Sequence, residues 1–259
     1  MRRLSTLIAG LAIFILAAPL QSQQPELMPY VMVETFDVGT AQAEGFAEAI
    51  EHFKMAVDGA GVSAELPWEV YRQDTRWHLV LPMPDLTRFD PANEAAFMEM
   101  FAGTPGEAHL GQAMQIMSAN SAPMTSELML LVEDWTYFPT DFYMGSQTGA
   151  SVFEAWVKVG AEETFNESTK DLFAMLTEMN YPYAVLGHRT LVGDGGKVTI
   201  VVLHDGLDSF YGANSLDSVA SSVQMEAWGE LMTARDDMVT KRNSFNVQYD
   251  ADLSNSPGM

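Results

Sequence analysis

Five histidines, His52, His78, His109, His188 and His204, are the side chains best suited to ligate a metal or move a proton near neutral pH. Their spacing excludes the compact metal sites. No His-x-x-x-His or His-Glu-x-x-His pair and no acidic calcium loop joins them. His204 stands out, because Val198, Ile200 and Val202 share its face of one strand and His188 sits on the partner strand of the same hairpin. Two readings of His204 stay open: a haem ligand or general base, or a strand-end histidine beside Asp205 that reaches solvent. The 18 methionines include Met98-x-Met100 and Met114-x-x-Met117, a pattern that thioether-bound Cu(I) could use. They fall among Phe97, Phe101, Leu110 and Ile116 at helical spacing, so core filling is the simpler reading.

With no cysteine, the chain has no thiol nucleophile and no disulfide framework. It lacks a Gly-x-Ser-x-Gly elbow as well. Gly193-Asp-Gly-Gly-Lys197 resembles a scrap of a phosphate loop. It joins two expected strands with no helix, Ser or Thr after the lysine, so it reads as a hairpin turn.

A better polar cluster lies on an expected strand over 152–159. Phe153, Ala155, Val157 and Val159 form its apolar face, and Glu154, Trp156 and Lys158 form the other. The last strand, over 245–253, divides the same way, with Phe245, Val247 and Tyr249 opposite Asn246, Gln248 and Asp250. If the apolar faces meet helices, Trp156, Glu154, Lys158, Asn246 and Gln248 line an interior space. With His204 they form the candidate ligand-binding set, an apolar pocket with a few polar handles. The opposing reading makes these edge strands, showing lysine and amides to water.

The elements that must position these residues come in a repeated order. A strand over 30–38 precedes a helix over 43–57, where Phe46, Ile50, Phe53 and Val57 recur at helical spacing. A hairpin turns at Asp74-Thr75, a broken helical region covers 91–118, and a strand follows over 127–135. After a linker-like stretch the order restarts: strand 152–159, helix 162–179, hairpin 183–204, helix 216–240 and a closing strand. Leu86, Phe89, Ala92 and Asn93 fall on Leu207, Phe210, Ala213 and Asn214 at a constant displacement of 121 positions. The boundaries predicted are a first ferredoxin-like repeat at 30–139, a linker at 140–151 and a second repeat at 152–254.

Leu79-Val80-Leu81 and Ile200-Val-Val-Leu203 do not alternate, so both faces of these strands should be dry. In a β-α-β-β-α-β unit the helices cover one face only. The other copy's sheet is the natural cover for the second. The fold class expected is therefore α+β, with tandem β-α-β-β-α-β repeats whose antiparallel sheets pack face to face.

That arrangement resembles the dimeric α/β-barrel superfamily, with two copies fused in one chain. The likeness rests on element order and the internal repeat over about 30–253 and includes no diagnostic motif. It implies company with cofactor-free monooxygenases, haem-binding and haem-degrading enzymes, and stress-related proteins without a settled reaction. The Asn, Trp and His constellation of the haem-degrading members cannot be assigned residue by residue, so no roles are carried over.

Arg2 and Arg3, an apolar run over 4–20, and Gln21-Ser22 predict a secretory signal peptide at 1–22. The run is short for a membrane span of ~20 apolar residues. A periplasmic or secreted protein is expected, free of the membrane after cleavage. The formal charge of −22 repels nucleic acid and anionic lipid.

Three functions remain in view. One is an exported protein holding a small apolar or aromatic molecule between its sheets. Another is a barrel-superfamily oxidoreductase, monooxygenase-like or haem-dependent. The third is a protein-interaction module. No cofactor is expected, haem being the exception held open, and the chain should be a monomer or homodimer.

Overall fold

A computed structural model describes residues 27–87, 91–120 and 122–255. The expected signal peptide lies outside the described residues, as does Phe89 of the repeat. Among the described residues eight strands and seven α-helices follow one another. The first half holds β1 (Tyr30–Asp37), α1 (Gly39–Ala60), β2 (Glu69–Gln73), β3 (Arg76–Met83), α2 (Pro91–Phe101), α3 (Glu107–Asn120) and β4 (Ala122–Tyr137). The second holds β5 (Gly149–Val157), α4 (Glu162–Glu178), β6 (Ala184–Val192), β7 (Lys197–His204), α5 (Leu207–Tyr211), α6 (Leu216–Val219), α7 (Ser222–Asp236) and β8 (Val239–Tyr249).

The strands close into one antiparallel barrel in the order β1-β3-β2-β8-β5-β7-β6-β4. Each half supplies four contiguous strands, β4-β1-β3-β2 and β8-β5-β7-β6. The two sheets do more than face each other. Tyr71 and Arg72 of β2 pair with Tyr249 and Gln248 of β8. At the opposite seam β4 pairs with β6 from Leu128↔Val192 to Tyr137↔Val185, with an irregularity between Leu131 and Thr136. Closure pairs the outer strands of the two halves, although the β2–β8 seam is confined to the two positions at Tyr71 and Arg72.

The helices lie outside the barrel. Phe46, Ile50 and Val57 of α1 pack with Phe36 of β1, Trp77 of β3, and Phe101 and Leu110 of the following helices. Phe165, Leu172 and Phe173 of α4 pack with Val198 and Val202 of β7 in the second half. Gly61, at φ +73°, ends α1 in the left-handed region that glycine tolerates. Gly106 has a different reason to be glycine. A Cβ there would lie 2.1 Å from the carbonyl oxygen of Ala56, so only a bare Cα lets the start of α3 sit on α1.

Several boundaries differ from the expected ones. The region 91–118 divides into α2 and α3 around Gly103 and that contact. The single helix expected at 216–240 is instead α6 and α7. Ser221 separates them, capping α7 in a reciprocal box with Gln224. β8 starts at Val239, six residues before the expected strand, and β5 starts at Gly149, within the expected linker. Among the described residues no helix is long and apolar enough to cross a membrane.

Candidate functional site

Strand alternation sends every second side chain into the barrel. On β5 these are Ala150, Val152, Glu154 and Trp156; on β7, Leu203, Val201, Thr199 and Lys197; on β8, Val247, Phe245, Asn243 and Lys241. The register stacks them in levels. Ala150, Leu203 and Val247 share one, then Val152, Val201 and Phe245, then Glu154, Thr199 and Asn243, then Trp156, Lys197 and Lys241. The second half therefore grades from apolar to charged along the barrel axis. Together with Val31, Val33, Val80, Met129, Leu131 and Leu186 these side chains bound a cavity of about 850 Å³. Arg76, Asp194, Lys241 and Asn243 line it and are themselves exposed, so the charged region meets solvent.

Lys197 organises the charged region. Its ammonium donates to Glu154 at 2.8 Å and also to Glu127 of β4. Burial alone would push this lysine down, but the two carboxylates outweigh it and hold the ammonium above its ordinary value. Glu154 also accepts from Asn243 Nδ2 at 2.9 Å. Trp156 Nε1 donates to Asp194 at 2.9 Å, and Lys241 stands 4.0 Å above the Trp156 ring.

Deeper groups are neutral or pushed towards neutrality. Burial lowers His188 to about 4, against a smaller upward pull from a hydrogen bond to the Thr199 backbone. Burial also lowers His78 to about 4, helped by Arg76 and opposed by Glu154. Both rings are thus uncharged at neutral pH. His78 Nδ1 is hydrogen-bonded to Thr35 Oγ1 at 3.0 Å, and its ring stacks on Phe245 with centroids 5.8 Å apart. His78 Nε2, His188 Nδ1 and Thr199 Oγ1 are buried without a hydrogen-bond partner. Burial raises the Glu69 carboxyl, although Tyr71 donates to it at 2.8 Å. Buried polar atoms without partners are uncommon in native proteins. All three belong to residues that line the cavity, but each atom is itself covered by protein.

Of the six residues singled out from the sequence, the structure brings Glu154 and Trp156 into the cavity. The other four lie elsewhere. Lys158 falls just past β5, and its Nζ donates to the Asp237 carbonyl at 2.6 Å. Asn246 and Gln248 point away from the interior, because β8 turns Phe245 and Val247 inward. Asn246 accepts from Ser151 Oγ at 2.7 Å on the outer face, and Gln248 is exposed. His204 shares the outward face of β7 with Val198 and Val202. It is 3% exposed, stacked 5.1 Å from Phe210 and edge-on to Tyr183, so it reaches neither solvent nor the cavity.

Sequence reasoning passed over Lys197, Thr199, Glu127, Glu69, Lys241 and Asn243. A signal existed for the first two. Lys197 and Thr199 share one parity of a strand whose other parity is Val198, Ile200 and Val202. His78 carries the same signal beside Trp77 and Leu79.

His204, the histidine singled out as a possible haem ligand, does not reach this cavity. His78 and His188 line it instead, as do Arg76 and Lys241 where it opens to solvent. Lys197 is already paired with Glu127 and Glu154. Among the described residues no group of three or more His, Asp or Glu side chains could hold a metal ion.

No family model matches the sequence, and no curated protein does. Solved structures share the fold. The chain is similar to a protein provisionally named a monooxygenase from Fusobacterium nucleatum subsp. nucleatum, with TM-score 0.56, 14% identity, and 86% of this chain and 93% of the other covered. A protein given the same provisional name from Lactobacillus acidophilus NCFM aligns with TM-score 0.56 at 9% identity, covering 86% and 95%. An anthrone oxidase-like protein aligns with TM-score 0.52 at 12% identity, covering 90% and 95%. The likeness is one of fold, an α+β chain closing an eight-stranded antiparallel barrel, and it agrees with the dimeric α/β-barrel resemblance.

Proposed function

We propose that this chain is a small-molecule-binding protein whose half-barrels enclose one apolar or aromatic ligand. The observation that carries the reading is the cavity itself. Its volume of about 850 Å³ lies within the range of ligand pockets and its deep wall is apolar. A wall of Val, Leu, Met and Phe side chains favours an apolar guest by removing its surface from water. The Lys197 and Trp156 cluster supplies polar contact where the cavity meets solvent.

In the same reading the halves are two ferredoxin-like units fused in one chain, 30–139 and 152–254, joined through 140–151. The basic and apolar leader supports export, with the mature protein beginning near Gln23. N-terminal sequencing of the cell-free fraction tests that part.

The test of the reading is calorimetric titration of the full chain with the methyl ether of β-naphthol, a flat apolar probe. The expected result is one site per chain. A Val201→Phe variant, which fills the cavity from β7, should lose at least about tenfold in affinity. Binding that ignores Val201→Phe would contradict the reading.

A second reading is favoured by His78 and His188, neutral imidazoles that line the cavity. Such a ring can accept a proton from a bound molecule, and two of the structures sharing this fold carry a monooxygenase name. Under it, adding β-naphthol to the protein would consume dissolved oxygen, and a His78→Leu or His188→Leu variant would stop the consumption.

A further inference from the structure

We infer that Glu69 anchors a cationic head group, so that the cavity's ligand is an organic ammonium with an apolar or aromatic body. The inference rests on the ligand-binding reading and adds the chemical class of the guest.

Glu69 opens β2 on the inward face that it shares with Tyr71 and Gln73, faces Val80 in the β2–β3 register and lines the cavity. The residue is 8% exposed. Tyr71 Oη donates to its Oε2 at 2.8 Å, and Oε1 has no hydrogen-bond partner among the described residues. Unlike the unpartnered nitrogens of His78 and His188, Oε1 is not fully covered by protein, so a guest in the cavity can reach it.

No cation of the described residues meets this carboxyl. Arg76 stands opposite Gln73, four residues before Val80 and so roughly 13 Å along the strand. Lys197 and Lys241 belong to the Trp156 level, whereas β2 joins β8 at Tyr249, beyond Val247 and towards the apolar end. A buried carboxyl without a cation is costly to hold ionised, and burial raises this one.

A ligand ammonium supplies the missing charge and donates to Oε1. Tyr71 packs with Phe142 and Phe245, and all three line the cavity, so aromatic rings that attract a cation surround the same chamber. Other head groups do worse. A carboxylate meets Glu69 as a like charge. An ether or ketone oxygen has no proton to donate, and a hydroxyl donates one but leaves the charge unpaired. The formal charge of −22 also draws cations towards the chain.

Paired titrations of the full chain with 2-naphthylmethylamine and its neutral analogue 2-naphthylmethanol test the subsite. They are run at about pH 8 and about 0.15 M salt, where the amine is charged and attraction to the outer surface is screened. The wild-type chain should prefer the amine by about tenfold or more. Glu69→Gln should erase the preference while leaving the alcohol's affinity within about twofold. Circular dichroism confirms folding, and Glu69→Met, apolar and of similar length, decides if Glu69→Gln is not folded. Val201→Phe should weaken both probes.

Equal binding of the two probes by wild type, or a preference that survives loss of the carboxyl, overturns the subsite and leaves the chamber standing. Amine binding that Val201→Phe does not weaken puts the cation outside the barrel and overturns the subsite too. Failure of both probes to bind overturns the chamber and the subsite together.

Discussion

Lys197 and Glu154 meet inside the barrel at 2.8 Å as a diagonal pair, since in register Glu154 faces Thr199 and Lys197 faces Trp156. Glu127 closes on the same ammonium from β4, so one lysine ties together strands from both halves. Removing that cation leaves two carboxylates half-enclosed without a partner. Lys197→Met should therefore cost roughly 3–5 kcal/mol by urea denaturation. Adding Glu127→Gln and Glu154→Gln to the same chain should restore most of it.

Glu69 gives a pH-dependent test of opposite sign from an ordinary surface carboxylate. Burial pushes its carboxyl above the usual 4.5, with the Tyr71 hydrogen bond pulling the other way. The folded chain holds this proton more tightly than the unfolded chain does. The group's contribution is thus complete below about pH 4.5 and fades as pH rises through the folded value. Glu69→Gln keeps the acceptor for Tyr71 and removes the titration. The urea midpoint should rise at about pH 8 and stay unchanged at about pH 4.

His78 and His188 act on the acid side. Both fall from 6.5 to about 4 on folding, so the unfolded chain binds protons that the folded chain refuses. Their stabilisation is present above about 6.5 and lost as pH falls towards 4. Each should contribute on the order of 3 kcal/mol to that loss. Arg76 disfavours charge on His78 and Glu154 favours it, while His188 lies in the cavity with Lys197, Glu127 and Glu154. Stability followed from about pH 7 to pH 4 should fall less steeply in His188→Leu than in the wild-type chain.

The helix contact at Gly106 is testable without the cavity. Gly106→Ala places a methyl 2.1 Å from the Ala56 oxygen and should destabilise the chain by about 1–3 kcal/mol. Gly111→Ala, in the same helix with no atom within 4 Å of its Cβ position, should stabilise it by about 0.5–1 kcal/mol. Thermal unfolding of the two variants checks the pair.

Element order was legible because helix and strand periods differ, and Phe46, Ile50 and Val57 can only be one face of a helix. The dryness of Leu79-Val80-Leu81 was legible for the same reason: Leu79 packs beneath the helices while Val80 lines the chamber. Glu154 and Trp156 followed from strict alternation on β5. The same rule misled on β8, because it equated the apolar face with the helix-facing one. The chamber is itself apolar and claims Phe245 and Val247, while helix cover is thin over neighbouring β5, where Phe153 is 41% exposed. The Lys197 cluster was hidden for another reason. Its partners stand 70 and 43 residues away, and only barrel closure brings Glu127 beside Lys197.

The central claim is that a guest occupies the barrel interior. Its most direct test is the anomalous X-ray signal of bromine from a bromo-substituted β-naphthol in crystals of the full chain. A bromine peak inside the barrel is the expected result. A peak only on the outer surface, with the interior occupied by water alone, would contradict it.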